Sequence, residues 1–138
     1  MRLSVLFACF LISGCTSAGQ QQDVRQDGAR HAPLPAVTCD RNQLTSWFGT
    51  ISGYRRESDT TWLQITTDYD TVEAVTLNHP DQADAAAFYR LWGEPFRDAD
   101  WPAIEKTPGV LIPRMRATAW ICEDGRTPPL IDWQPPRD

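Results

Sequence analysis

Apolar and polar positions alternate along much of the chain from residue 44 onward. Residues 60–67 read T-T-W-L-Q-I-T-T, with Leu63 and Ile65 pointing one way and Trp62, Gln64 and Thr66 the other. A period of two predicts a half-buried strand. Residues 44–56 (LTSWFGTISGYRR) are aromatic and β-branched, and the internal Gly49 and Gly53 predict a strand that bends or carries a bulge. Residues 71–78 predict a third strand, with Val75 and Leu77 on one face. Turns at 57–59 and 68–70 join these three into a meander. The period then lengthens. Pro80 opens a helical pattern, Asp81 and Asp84 sit in its first turn where the helix dipole favours them, Ala85, Phe88, Leu91 and Trp92 form its apolar stripe, and Gly93 ends it. Residues 98–106 predict a short second helix or turn. Residues 110–122 predict a long strand, with Met115, Ala117, Ala119 and Ile121 on one face and Arg114, Arg116, Thr118 and Trp120 on the other. Leu130 to Trp133 predicts the last strand.

Ahead of this alternating region the pattern is different. Leu3 to Ile12 is an apolar run of about ten residues, half the length a bilayer span takes. It is followed by Ile12-Ser13-Gly14-Cys15. An aliphatic residue and two small residues before a cysteine resemble the lipobox of bacterial lipoproteins. The resemblance implies cleavage before Cys15, a diacylglycerol on its thiol and anchoring through several acyl chains, which is stable where a single chain is not. In that class Asp after the cysteine retains the protein in the inner membrane. Thr16 therefore implies the periplasmic face of the outer membrane. Residues 16–36 are rich in Gln, Ala, Gly, Asp and Pro and read as a flexible tether with a reach of roughly 25 Å. The chain thus divides into a signal peptide over 1–14, an anchor and tether over 15–36, and one globular domain over 37–138.

The expected order of the domain is three strands, a helix and two strands, with a glycine-punctuated first strand. This is similar to an OB-fold in element order, and the resemblance implies a small five-stranded barrel with one helix between strands 3 and 4. Cys9 leaves with the signal and Cys15 is lipidated, so Cys39 and Cys122 remain as a pair in an oxidising compartment. A disulfide between them is the expected outcome.

Charge narrows the partners. Thirteen Lys and Arg against 18 Asp and Glu leave a net charge of −5, which disfavours nucleic acid as a partner because its phosphates repel an acidic surface. No catalytic set stands out. There is no GxSxG and no glycine-rich phosphate loop. The two histidines, His31 and His79, are too few for a zinc site and stand near no cysteine. Asp68, Asp70 and Glu73 cluster at a hairpin, where turns use Asp anyway. Glu94, Asp98, Asp100 and Glu105 read as scattered surface acids. No metal, cofactor or enzymatic activity is expected. The suggestive feature is a strand face on which Tyr54, Arg56, Trp62, Arg116 and Trp120 would stand together, since Trp, Tyr and Arg dominate binding hot spots. The expected function is a non-enzymatic binding module of the cell envelope, joined to the membrane by its lipid and contacting an envelope protein or glycan. The alternative is an immunity or inhibitor lipoprotein that binds a basic envelope hydrolase or toxin, with residues 57–60 and 123–129 as candidate inserting loops.

Overall fold

A computed structural model describes residues 32–79 and 85–137. The unit that begins at Ala32 is mainly β. The meander forms as its hydropathy predicts: β1 (Leu44–Arg56), β2 (Thr60–Thr67) and β3 (Val72–Asn78) pair antiparallel in sequence. β1 also pairs with β8 (Arg116–Cys122), and β8 with β9 (Leu130–Gln134). On the inner face of this sheet Leu63, Ile65, Val75, Leu77, Ala117, Ala119, Ile131 and Trp133 are buried. The chain between β3 and β8 crosses that face and covers it with Ala85, Tyr89, Phe96, Ile104 and Met115.

The five-stranded barrel does not form. The sheet is open and has seven strands, in the order β3-β2-β1-β8-β9-β4-β5. The free side of β9 is taken by β4 (Tyr89–Leu91), which runs parallel to it and is followed by the two-residue β5 (Glu94–Pro95). With β9 occupied, β3 has no strand to close upon. The same pairing replaces the end of the helix expected from Pro80 to Trp92. Residues 80–84 of that expectation lie outside the described residues. Beyond them Ala86–Phe88 form a single 3-10 turn and Tyr89 is already extended. Burial decides this. Tyr89 meets Trp133, Phe96 and Trp101 edge to face at 5.4, 5.5 and 5.8 Å, and pairing with β9 supplies the backbone bonds a helix would have supplied. Trp92 and Gly93 then turn the chain with φ of 53° and 84°.

The second helix is α1 (Trp101–Ile104), entered through a 3-10 turn over Asp98–Asp100. It leads into a small hairpin of β6 (Glu105–Thr107) and β7 (Val110–Leu111). The long strand expected over 110–122 is therefore interrupted. Pro113 has no N–H for a ladder, Arg114 takes a φ of 60°, and β8 starts at Arg116. A disulfide joins Cys39 to Cys122, tying the segment before β1 to the end of β8. That segment is packed as far back as Leu34, whose side chain lies 3.4 Å from where a Cβ on Gly93 would stand.

One local feature sets which side chains share a face. In β1, Ile51 lies opposite Ile65 but Gly53 lies opposite Gln64, so Ser52 is an unmatched residue. This bulge reverses the alternation. Before it, the odd-numbered Trp47, Gly49 and Ile51 face inward. After it, Tyr54 and Arg56 do, opposite Leu63 and Thr61. Gly53 permits the arrangement: a Cβ there would stand 2.8 Å from the Trp62 ring, which lies across it on the outer face.

Candidate functional site

The five residues expected on one face are split by the bulge and by what covers the sheet. Trp62 and Arg116 stand on the outer face, as expected. Tyr54 and Arg56 do not; they turn to the inner side. Trp120 is on the outer face but is only 4% exposed, so it presents nothing to a partner. Its end of the sheet carries the disulfide and a buried polar network. There Asp132 accepts hydrogen bonds from the Gly93 backbone N–H at 2.7 Å and from Gln134 at 3.1 Å, and Gln134 also donates to Thr118 at 3.2 Å. The indole N–H groups of Trp120 and Trp133 are sealed without an acceptor, so packing holds both rings in place.

The outer face at the β1–β3 end is exposed. Trp62 is half-buried over Gly53, with the Arg55 guanidinium 5.8 Å from its ring. Arg116 lies 4.4 Å above the Phe48 ring and holds both oxygens of Asp68 at 2.9 and 2.7 Å. Thr66 pairs with Val72 and Gln64 with Ala74, so Val72 and Ala74 extend the same face to the edge strand. At its corner is the β2–β3 turn. The Thr67 hydroxyl accepts from the backbone N–H groups of Tyr69 and Thr71 at 3.3 and 3.2 Å and bonds the Thr71 hydroxyl at 2.8 Å. Asp70 sits in the left-handed region at φ 61°, and the Asp68 N–H donates to the Phe48 carbonyl at 3.2 Å. This turn, tied to β1 by a backbone bond and to β8 by Arg116, presents Tyr69 at 80% exposure. Of the acid cluster read from sequence, Asp68 is thus paired with Arg116, Asp70 makes the turn, and Glu73 lies opposite Ile65 on the inner face.

The inner residues Tyr54 and Arg56 belong to a second cluster. Arg56 grips Glu105 through Nε to Oε1 at 2.8 Å and Nη2 to Oε2 at 2.7 Å, and the Tyr54 hydroxyl donates to Oε1 at 2.5 Å. The Arg56 and Glu105 side chains are 8% and 4% exposed. Glu105, read from sequence as one of several surface acids, is a buried one. The Trp101 ring lies 4.3 Å from the guanidinium and packs edge to face on Phe96 at 5.0 Å. Burial and the neighbouring Tyr89 and Glu105 push the Tyr54 hydroxyl far up, and burial pushes Tyr89 up to about 12. Burial also raises the Glu105 carboxyl, but the hydrogen bonds from Arg56 and Tyr54 outweigh it and bring it below its ordinary value. The cluster is therefore a carboxylate, a guanidinium and two neutral phenols across the usual pH range. Beside it opens a cleft of about 500 Å³ lined by Arg56, Asp98, Trp101, Glu105 and Lys106 among others.

The other expected features are also placed. His79 is buried, with Nε2 3.1 Å from the Thr61 hydroxyl, which in turn meets the Tyr89 hydroxyl at 2.7 Å. Residues 123–129 form a loop fixed by Asp124, which accepts from the Arg126 and Thr127 backbones at 2.9 Å each and from the Thr127 hydroxyl at 2.7 Å. Those bonds from Thr127 and Arg126 hold its carboxyl down at about 2. Among the described residues no group of three or more His, Cys, Asp or Glu could hold a metal ion, and no helix is long and apolar enough to cross a membrane. His31 and the lipobox residues Ile12, Ser13, Gly14 and Cys15 lie outside the described residues. No family model, curated protein or solved structure matches the chain.

Proposed function

We propose that this chain is a lipid-anchored protein of the bacterial cell envelope, held to the periplasmic face of the outer membrane by Cys15, whose folded unit binds an envelope protein without catalysing a reaction. The observation that carries the binding role is the exposed outer face of β1–β3. It sets the half-buried Trp62 and Arg116 on the sheet beside the exposed Val72 and ends in Tyr69 on a fixed turn. Aromatic and Arg side chains supply most of the energy at protein interfaces, and a surface already held in shape loses little entropy on binding. The lipobox-like Ile12-Ser13-Gly14-Cys15 supports the address.

The test uses the full lipidated chain in its own cells. A photo-crosslinking residue at position 62 and another at position 72 should capture the same discrete protein. One at position 126, in the loop after β8, should not, and Arg116→Glu should abolish capture from position 62. Capture that is diffuse, or equal from all three positions, refutes the reading.

A second reading, inhibition of a basic envelope hydrolase, is favoured by the β2–β3 turn rather than by the loops 57–60 and 123–129. Tyr69 projects from a turn bearing Asp70, with Asp68 paired to Arg116, in a chain of net charge −5 that is steered toward a positive cleft. This reading requires the captured partner to be a hydrolase whose activity falls on binding and recovers with Tyr69→Ala.

A further inference from the structure

The cleft beside α1 lies on the inner side of the sheet, away from the outer face to which the protein partner is assigned. We propose that it is a saccharide subsite that holds one neutral hexose ring of an envelope glycan. Its chemistry selects this ligand. The charged groups lining it are Arg56, Lys106, Asp98 and Glu105, two cations and two carboxylates, so an ionic ligand of either sign meets as much repulsion as attraction. A neutral ring bearing several hydroxyls meets both donors and acceptors. Glu105 is committed to Arg56 and Tyr54, so a ligand hydroxyl would donate to Asp98 and accept from Lys106 or the Arg56 guanidinium, and hydrogen bonds to charged groups are the stronger kind. The half-buried Trp101 ring adds an aromatic wall for the apolar C–H face that a hexose also carries.

The wall is built rather than incidental. Arg56 and Glu105 are more than nine-tenths buried, and Tyr54 and Trp101 fix both in place. Nε and one N–H of Nη2 of Arg56 are committed to Glu105, so of the five guanidinium N–H groups those on Nη1 and the second on Nη2 lie outside that pair. Lys106 is the only lysine in the chain, and it stands on the exposed rim with Asp98. The cleft volume of about 500 Å³ lies within the range of small-molecule sites, roughly 300–1,000 Å³.

The experiment titrates the intact lipidated protein, in a detergent without a sugar headgroup, with tri-N-acetylchitotriose, cellotriose and maltotriose. The readouts are tryptophan fluorescence and calorimetry. At least one trisaccharide should bind, and Lys106→Ala and Asp98→Asn should each weaken it about fivefold, the worth of one net hydrogen bond. Arg126→Ala, in the loop after β8, should leave binding unchanged. Trp101→Phe should weaken it further; should that variant unfold, the two rim variants still carry the test. No binding by any of the three up to about 10 mM, or binding indifferent to both rim substitutions, overturns the assignment.

Discussion

A carboxylate buried at position 105 is tolerable because Arg56 meets it with two hydrogen bonds and Tyr54 with a third. Removing one charge leaves the other stranded. Glu105→Gln should therefore destabilise the folded unit by about 3–5 kcal/mol, read as a lower urea midpoint. The pair Arg56→Met with Glu105→Leu should recover most of that loss, because no buried charge is then left alone. Glu105 also makes stability depend on acid. Its folded-state pKa is lowered, so its contribution is complete above the unfolded value and is lost as pH falls through the folded one. Urea midpoints should drop as pH goes below about 4.5, the ordinary glutamate value, and the double variant should show a shallower drop. The sequence hid this residue. Glu105 lies among Glu94, Asp98 and Asp100, and nothing local separates a buried acid from three surface ones. Its partner is 49 residues away, and only the fold brings them together. Tyr69 was hidden for the opposite reason: a tyrosine inside D-Y-D reads as part of a turn, and its exposure depends on what fails to pack over it.

At the scale of elements, the legible parts are those where local pattern and final environment agree. β1 and β2 have the bounds their alternation predicts, because both keep one face in the core along their length. The run from Pro80 to Trp92 has a helical period, yet its described end became β4 because Tyr89 gains more from the aromatic cluster than from a helical turn. The bulge at Ser52 shows the reach of one residue. Gly49 and Gly53 announced an irregularity, but not its side or position, and that decided which face Tyr54 and Arg56 occupy. Deleting Ser52 removes only the unmatched residue: Gly53 then follows Ile51 in register, and Tyr54 and Arg56 should still face inward and hold Glu105. The variant should accumulate and unfold cooperatively in urea; loss of folding would show that the bulge itself is required. The two glycines should also respond differently. A Cβ on Gly49 would stand 2.1 Å from the Thr66 carbonyl oxygen, whereas on Gly53 it meets the Trp62 side chain. Gly49→Ala must move backbone and should cost more than Gly53→Ala, where a ring can swing aside; comparing the two melting temperatures checks this.

For the whole molecule, one covalent device holds the domain together, and the proposed lipid would be a second that sets where the domain is. The Cys39–Cys122 bond spans 83 residues. Closing a loop of that length removes unfolded-state entropy worth up to about 4.5 kcal/mol in the chain-entropy model. Cysteine counting made this bond legible, since it needed only the removal of Cys9 and Cys15 from the tally. Replacing both residues by Ser should lower the urea midpoint strongly, and a reductant should do the same to the native chain while leaving the Ser variant unchanged. The lipid proposed on Cys15 would be the second. On that proposal it would keep the open sheet face and the cleft near envelope partners, because each buried CH₂ contributes about 0.8 kcal/mol and two or more acyl chains anchor stably where a single chain binds only reversibly. The full chain should take up labelled palmitate and sediment with membranes. Cys15→Ser should block both and leave the unprocessed chain without label, while Cys9→Ser, inside the apolar leader, should change neither. A Cys15→Ser protein that still takes up label would place the lipid on another cysteine and remove the ground for the envelope address.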